Sequence, residues 1–148
     1  VTITIREQTV VDWPRFPHRG LMIDSSRHFL PPTTVMGVVE AMAYNKLSVL
    51  HWHLTDYQSF PVESKTFPRL AQGAFRLADQ CRSPLNPMPN ETHPGWHRAS
   101  FPPQTAPLTR CTYTHADLRE VVAFAKDRGV RVVPEFDTPS HANSWAVG

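Results

Sequence analysis

Three short apolar runs, separated by segments with helical periodicity, constrain the fold of this chain most strongly. The runs cover residues 20–23, 47–54 and 130–136. Near-continuous apolar sequence of this length is typical of strands buried on both faces of a parallel sheet. Helices are predicted from Pro31 to Asn45 and from Thr114 to Gly129, where apolar residues recur every three or four positions. This order predicts an α/β fold in which crossover connections link three parallel strands through two helices.

Composition limits the classes of function that the chain can serve. Fifteen Lys and Arg residues against thirteen Asp and Glu residues give a formal net charge of +2, which is too balanced to predict a nucleic-acid or acidic partner. No stretch approaches the roughly 18 apolar residues that a membrane-spanning helix requires. The sequence starts at Val1 without a basic and apolar leader, so we expect a soluble chain that was processed or excerpted from a longer protein.

The segment before the second predicted helix has an unusual composition. We predict mostly loop from Thr55 to Thr112, with a helical turn around residues 70–78, and prolines cluster within residues 84–107 of this stretch. Cys81 and Cys111 flank this stretch and are either a disulfide pair or two unrelated thiols. Asn90 begins the N-glycosylation acceptor tripeptide Asn-Glu-Thr. Together, the acceptor site and a disulfide favour a secretory or lysosomal compartment.

Each predicted strand ends in polar residues. Because the carboxyl ends of parallel strands meet at one edge of a sheet, where ligands bind in α/β folds, we expect these side chains to converge on an active site. Two nearby tryptophans, Trp52 and Trp145, would either stack on a sugar ring or belong to the core. The polar residues are Asp24 and Arg27 after the first strand, His51, His53 and Asp56 at the second, and Glu135, Asp137 and His141 at the third.

Two kinds of chemistry are compatible with the second and third strand ends. Glu135 and Asp137 are two positions apart, about 7 Å along a strand, and could act as general acid and base in glycoside hydrolysis. Alternatively, one of them is solvated and the other is bonded to the backbone or to an arginine. His51, His53, Asp137 and His141 could be metal ligands, but neutral, hydrogen-bonded imidazoles explain the histidines equally well.

Two further pairs have both a structural and a functional interpretation. Asp56 and His141 are expected at neighbouring strand ends, where a carboxylate on one imidazole nitrogen would fix the tautomer of the ring. Such a pair tunes another group and need not be the catalyst. Arg27 could form an ion pair with Asp24, or its planar guanidinium could bind two adjacent hydroxyls of a sugar.

Three long stretches of the sequence resemble a known family. They read PRFPHRGLMIDSSRHFLP, MAYNKLSVLHWHLTDYQSFPVESKTFPRL and RGVRVVPEFDTPSHANSW, and in this order they are similar to the beta-N-acetylhexosaminidases of glycoside hydrolase family 20. The resemblance implies the N-terminal part of a (β/α)8 barrel. It also implies retaining, substrate-assisted removal of terminal N-acetylglucosamine or N-acetylgalactosamine from glycans, a reaction that needs no cofactor and no metal.

The resemblance also implies roles for four residues of this chain. The arginine of the family's D-x-S-R motif corresponds to Arg27 and is similar to the residue that holds the sugar hydroxyls. The aspartate that follows HWHL and one further residue corresponds to Asp56. The aspartate and histidine of EFDTPGH correspond to Asp137 and His141. In the family, the last three residues form a polar network that supports the catalytic site.

Two positions depart from the family pattern. Tyr57 stands where the family often has a second acid, and Ser140 replaces a glycine, which would strain the turn if it needs a positive φ. In the family, the acetamido-orienting aspartate and the general-acid glutamate follow the fourth strand, whereas this chain stops at Gly148, after the third. The resemblance therefore implies that the 148-residue chain lacks this pair and is inactive alone.

The resemblance divides the chain into two parts. Residues 1–12, which begin with the alternation of a half-buried strand, are expected to be a remnant of a preceding domain and a linker. Residues 13–148 are expected to be barrel, with an insertion at about residues 78–112. The expected partners are terminal N-acetylhexosamine glycans, in a lysosomal or secreted protein whose parent is compatible with a dimer. Two rival interpretations stay open: a non-catalytic carbohydrate-binding relic and a metal-dependent barrel hydrolase.

Overall fold

The chain forms a parallel sheet with a helix in each connection. The computed structural model describes residues 7–74 and 111–147. The predicted strand at the amino terminus, most of the predicted loop, Cys81 and Asn90 lie outside the described residues. The elements are strand β1 Gly20–Asp24, helix α1 Pro32–Tyr44, strand β2 Val49–Thr55, a 3₁₀ helix Pro68–Gly73, helix α2 His115–Lys126, strand β3 Arg131–Phe136 and a second 3₁₀ helix Asn143–Val147. The predicted three parallel strands and two helices are thus confirmed.

The register of the sheet aligns polar residues from all three strands. The sheet order is β1-β2-β3, and both pairings are parallel. Asp24 is in register with His53, and His53 is in register with Glu135. Residues in register on neighbouring strands point to the same face, so these three side chains form one row across the sheet. A register shift between His53 and Thr55 marks a β-bulge at the carboxyl end of β2.

Both helices pack on the sheet around one hydrophobic core. Trp52, a candidate for sugar stacking, is only 1% exposed and belongs to this core. Its Nε1–H donates to Ser25 Oγ over 2.8 Å, and the hydroxyl of Tyr113 lies 2.9 Å from the same oxygen. The core contains Val35, Val39 and Met42 of α1, Leu50, Trp52 and Leu54 of β2, and Val121 and Ala125 of α2.

Local sequence explains where α2 begins and ends. The hydroxyl of Thr114 accepts a hydrogen bond from the backbone N–H of Asp117, whose carboxylate accepts from the backbone N–H of Thr114. This capping box satisfies two backbone donors that no helical partner reaches. The helix ends at Lys126, and Gly129 follows with a φ of 69°, a conformation that glycine adopts without strain.

Two observations bear on the predicted compartment. Cys111 is buried and disulfide-bonded, so the interpretation of this residue as an unrelated thiol is wrong. Cys81, the other cysteine of the sequence, is outside the described residues. Between residues 7 and 74 and between 111 and 147, no helix has the length and apolar character needed to cross a membrane.

The capping box makes the stability of the first turn of α2 testable. We expect Thr114→Ala to remove a side-chain cap that contributes about 1 kcal/mol to the stability of the helix. Backbone amides in this turn should then exchange roughly fivefold faster in native-state hydrogen exchange. The matched control is Thr34→Ala, in the first turn of α1, where no side-chain cap exists and alanine is the better helix former. Equal acceleration in both variants would contradict the importance of the cap.

Candidate active site

Polar residues from all three strand ends, Asp137 excepted, converge as predicted and form one connected set of hydrogen bonds and ion pairs. We call this set the strand-end cluster. Contacts across it join β1, β2, β3 and the turn after β3, which the parallel arrangement of the strands brings to one edge of the sheet. The cluster consists of Asp24, Arg27, His51, His53, Asp56, Glu135 and His141.

Asp56 occupies the centre of the strand-end cluster. It is fully buried, and its carboxylate contacts four donors. The backbone N–H of Tyr57 donates to Oδ1 over 2.5 Å. His53 Nε2 and Arg27 Nη2 each lie 2.8 Å from Oδ2, and His141 Nδ1 lies 3.0 and 2.9 Å from the two oxygens. The carboxylate is therefore bonded to residues of β2, of the segment after β1 and of the turn after β3.

The contacts of Asp56 keep it ionised despite its burial. Burial alone would raise the pKa of the carboxyl group, but the hydrogen bonds from Tyr57, His53 and His141 and the charge of Arg27 outweigh it, so the pKa is lowered. Taking a carboxylate out of water costs several kcal/mol. Hydrogen bonds to a charged group contribute roughly 1.5 to 3 kcal/mol each, so four donors are enough to offset that penalty.

Arg27 is held by two carboxylates and still faces solvent. Its Nη1 donates to Asp24 Oδ2 over 2.8 Å, and its Nη2 lies 2.8 Å from Asp56 Oδ2. Asp24 Oδ1 also accepts from the backbone N–H groups of Ser26 and Arg27, which fixes the turn that carries the arginine. The Arg27 side chain remains 45% exposed. The predicted ion pair with Asp24 is confirmed, and the guanidinium is accessible to a ligand.

Glu135 binds both histidines of β2. Its Oε2 lies 2.5 Å from His51 Nε2 and 2.8 Å from His53 Nδ1. The hydrogen bond with His53 is the largest cause of a lowered pKa at Glu135, with that of His51 acting in the same direction. Burial works against protonation of His53, but its hydrogen bonds to Glu135 and Asp56 outweigh this effect and raise its pKa.

The structure argues against Glu135 and Asp137 as an acid and base pair. A general acid must hold a proton that it can give up, whereas the lowered pKa of Glu135 keeps this group ionised. Asp137 lies beyond the last residue of β3 and is half-buried. It makes no hydrogen bond or ion pair with any residue in the described part of the chain, although its charge acts on Arg27.

His53, Asp56 and Asp137 form a candidate metal-binding group, because one potential ligand atom of each lies within 4.8 Å of the others. Both ring nitrogens of His53 are already hydrogen-bonded to carboxylates. Arg27 contributes a permanent positive charge 2.8 Å from Asp56 Oδ2, which would repel a cation. The donor set therefore fits a hydrogen-bonded ionic cluster better than a metal centre.

The turn after β3 places His141 against Asp56 by an unusual backbone conformation. His141 has a φ of 59°, in the left-handed region, whereas Ser140 is not among the residues with positive φ. The strain expected at Ser140 is therefore not observed, and the special conformation lies one residue later. Histidine is one of the residue types that tolerate this region better than most. The side chain remains 46% exposed.

Sequence reasoning missed three features of the site. It did not predict that both histidines of β2 share one oxygen of Glu135. It also missed the hydroxyl of Ser144, which donates to the Asp56 carbonyl over 2.5 Å, and the backbone N–H of Tyr57. The alternation of His51 and His53 signals a shared face, but only the register of β2 and β3 identifies the carboxylate that they meet.

Comparison with known families identifies the family of this chain. Residues 16–148 match the catalytic domain of glycosyl hydrolase family 20, a match that covers most of the chain. The chain belongs to glycosyl hydrolase family 20. The family resemblance in the sequence motifs is thereby confirmed.

Relatives and solved structures of family 20 extend this result. The chain is 43% identical over 148 residues to the beta-hexosaminidase subunit beta of Mus musculus. It is 40% identical over 147 residues to the beta-hexosaminidase subunit alpha of Rattus norvegicus. Each alignment covers 99% of this chain and 22% of the relative. A beta-N-acetylglucosaminidase of this family from Vibrio harveyi, solved with N-acetylglucosamine, superposes with a TM-score of 0.66 at 34% identity, covering 91% of this chain and 19% of that one. The chain thus spans about a fifth of the length of these family 20 relatives.

Replacement of the central carboxylate should destabilise the site. Asp56→Asn removes the charge that compensates Arg27 and His53 and places an amide NH₂ near groups that already donate. We expect a loss of about 3 kcal/mol in the free energy of unfolding, measured by urea denaturation. The control Asp12→Asn breaks an exposed ion pair with Lys46 and should leave the value unchanged. A loss of the same size in both variants would argue against the buried charge as the cause.

The opposite pKa shifts predict a pH window for the stability of the strand-end cluster. Asp56 and Glu135 have lowered pKa values, so their contribution to the free energy of unfolding is fully present above their ordinary pKa values near 4. This contribution is lost as the pH falls through the lowered pKa values. His53 has a raised pKa, so its contribution to the free energy of unfolding is fully present below pH 6.5 or so, the ordinary pKa of histidine, and is lost as the pH rises through the raised pKa. The difference in melting temperature between wild type and His53→Gln should therefore be larger at about pH 6 than at about pH 9. An equal difference at both pH values contradicts this assignment.

Proposed function

We propose that the protein carrying this chain is a retaining, substrate-assisted exo-beta-N-acetylhexosaminidase that removes terminal N-acetylglucosamine or N-acetylgalactosamine from glycans. The observation that carries the proposal is Arg27, an exposed guanidinium fixed between two carboxylates at the carboxyl ends of parallel strands. Relatives of this chain are named beta-hexosaminidases, and a similar structure contains N-acetylglucosamine, which supports the substrate class.

The chemistry of Arg27 suits the binding of a sugar. A guanidinium has five N–H donors in a rigid plane. One N–H of Nη1 donates to Asp24 and one N–H of Nη2 donates to Asp56, so three N–H groups of Arg27 remain for a ligand. Two neighbouring hydroxyls of a sugar ring can accept from such a planar arrangement, which a lysine ammonium cannot reproduce. The two carboxylates fix the orientation of the plane before the sugar arrives.

The remaining members of the predicted site would act through Arg27 and the bound substrate. In the proposed enzyme, Asp56 and His141 form the supporting pair, and Asp137 adds negative charge near Arg27. The acetamido oxygen of the substrate would attack the anomeric carbon while an aspartate orients it and a glutamate donates a proton to the leaving oxygen. We place this aspartate and glutamate outside the described residues, after a fourth strand.

The extent of the domain is part of the proposal. We propose that residues 13–148 begin a (β/α)8 barrel with an insertion at about residues 78–112, and that residues 1–12 belong to a preceding domain and linker. The family match, which begins at residue 16, supports the boundary. The parallel order of the three strands, with a helix in each connection, is the repeating unit of such a barrel.

The setting of the protein follows from the same resemblance. A lysosomal or secreted location is supported by the disulfide at Cys111 and the acceptor tripeptide at Asn90. Relatives of this chain are named as the alpha and the beta subunit of beta-hexosaminidase, which supports a dimeric parent. Size-exclusion chromatography with light scattering on the parent protein checks the assembly.

The proposed activity is measured as release of the chromophore from an aryl N-acetyl-beta-glucosaminide by the full-length protein. We expect turnover by the wild type and a loss of roughly ten- to a hundredfold in kcat/KM for Arg27→Lys, because one ammonium cannot bind two carboxylates and two hydroxyls. Arg119→Lys changes an exposed arginine of α2 in the same way and should retain wild-type kinetics.

Two outcomes separate the rival interpretations. Saturable binding of N-acetylglucosamine without turnover by the full-length protein would favour a carbohydrate-binding relic. Activity that is abolished by a chelator and restored by zinc would favour a metal-dependent hydrolase. We expect neither outcome, and we expect residues 1–148 expressed alone to release no chromophore.

A further inference from the structure

The protons around Asp56 can be placed from its neighbours. An ionised carboxylate only accepts hydrogen bonds, so each nitrogen that bonds to it must carry a proton. His53 Nε2 lies 2.8 Å from Asp56 Oδ2, and His141 Nδ1 contacts both oxygens at 3.0 and 2.9 Å. Arg27 Nη2 lies 3.3 Å from His141 Nδ1 because both donate to Oδ2. Both imidazoles therefore donate to Asp56.

The second nitrogen of His53 faces another carboxylate. Nδ1 of His53 lies 2.8 Å from Glu135 Oε2, and His51 Nε2 lies 2.5 Å from the same oxygen. A protonated Oε2 could donate to His53 Nδ1 and accept from His51 Nε2, so the hydrogen bonds alone permit either state of Glu135. The ordinary pKa of an imidazole is about two units above that of a glutamate, so the shared proton resides on His53, and the ionised Glu135 accepts from both rings. His53 then carries a proton on each nitrogen.

We propose that His53 is an imidazolium clamped between Glu135 and Asp56, and that Glu135 and His53 are positioning residues that hold the Asp56 carboxylate ionised and oriented toward Arg27 and His141. The first part concerns the folded chain itself, whereas the consequence for catalysis rests on the proposed function. The role of Glu135 is to keep the second proton on His53, and the role of His53 is to fix one oxygen of Asp56.

A charged His53 improves the charge balance of the strand-end cluster. Arg27 alone is shared by Asp24 and Asp56, so one positive charge faces two carboxylates. A charged His53 gives Asp56 a second cation, at 2.8 Å. The His53 side chain is only 7% exposed and that of Asp56 only 1%, so water screens the interaction weakly. A neutral His53 would leave Asp56 with less compensation and weaken the orientation of Arg27.

The clamp also fixes geometry. His53 is in register with Glu135 across β2 and β3, while Asp56 follows the β-bulge three residues later in the chain. The ring therefore connects a neighbouring strand to the loop that carries Asp56. Since Asp56 contacts both Arg27 and His141, a displacement of the ring would be transmitted to the two exposed members of the cluster.

Nitrogen-15 NMR of the full-length protein, labelled selectively on histidine, tests the proton placement. We expect both ring nitrogens of wild-type His53 to show imidazolium shifts at pH 7. In Glu135→Gln, which keeps the shape but removes the charge, His53 should titrate at least about one pH unit lower, a tenfold change in proton affinity. A neutral His53 in the wild type at pH 7 would overturn the proposal, and this measurement needs neither a folded variant nor enzyme activity.

Kinetics with the aryl N-acetyl-beta-glucosaminide test the positioning role. In Glu135→Gln, we expect the basic limb of the pH profile of kcat/KM to move to lower pH, with a loss of roughly ten- to a hundredfold at pH 7 that shrinks at lower pH. A purely structural defect would lower kcat/KM at every pH. The control Glu40→Gln removes a half-buried carboxylate of α1 that pairs with Arg128 rather than with a member of the strand-end cluster, and it should leave the profile unchanged.

The two proposals fail in different ways. Absence of turnover by the wild type overturns the proposed function, while the NMR titration still decides the proton placement. An unchanged pH profile in an active, folded Glu135→Gln variant overturns the positioning role even if His53 is charged. Equal shifts of the profile in Glu135→Gln and Glu40→Gln also overturn it, because the effect would then not be specific to the clamp.

Discussion

Burial of a charged carboxylate requires compensation at hydrogen-bond distance, and Asp56 obtains it from several segments at once. Its donors come from the turn after β1, from β2 itself and from the turn after β3. No one of these segments could supply all of them. The ionised state of Asp56 is thus a property of the assembled sheet, and it depends on the parallel order that brings the three strand ends to one edge.

The same contacts contribute to stability and fix the two exposed members of the strand-end cluster, Arg27 and His141. The buried side of the strand-end cluster consists of Asp56 and His53, whereas Arg27 and His141 remain nearly half exposed. The inner pair fixes the positions of the outer pair, which is the arrangement expected where a binding group must be oriented before its substrate arrives.

Much of the fold could be predicted from the sequence, because apolar runs and helical periodicity are local signals. The three strands, both helices and the convergence of their polar ends were predicted from these patterns. The partner of His51 and His53 was not, since it depends on the register between β2 and β3, and a shift of one residue would turn Glu135 to the other face. The backbone conformation at His141 likewise depends on the tertiary turn after β3.

The β-bulge at the end of β2 has a consequence for how this region can vary in length. Beyond His53, β2 has one more residue than β3 before the next paired position, and Asp56, which directly follows β2, contacts His53. Substitutions at Leu54 preserve the offset, whereas an in-frame deletion of a single codon there would restore regular pairing and rotate the following side chains to the opposite face. Natural and engineered variants of this segment should therefore differ in residue type but keep the spacing between His53 and Asp56.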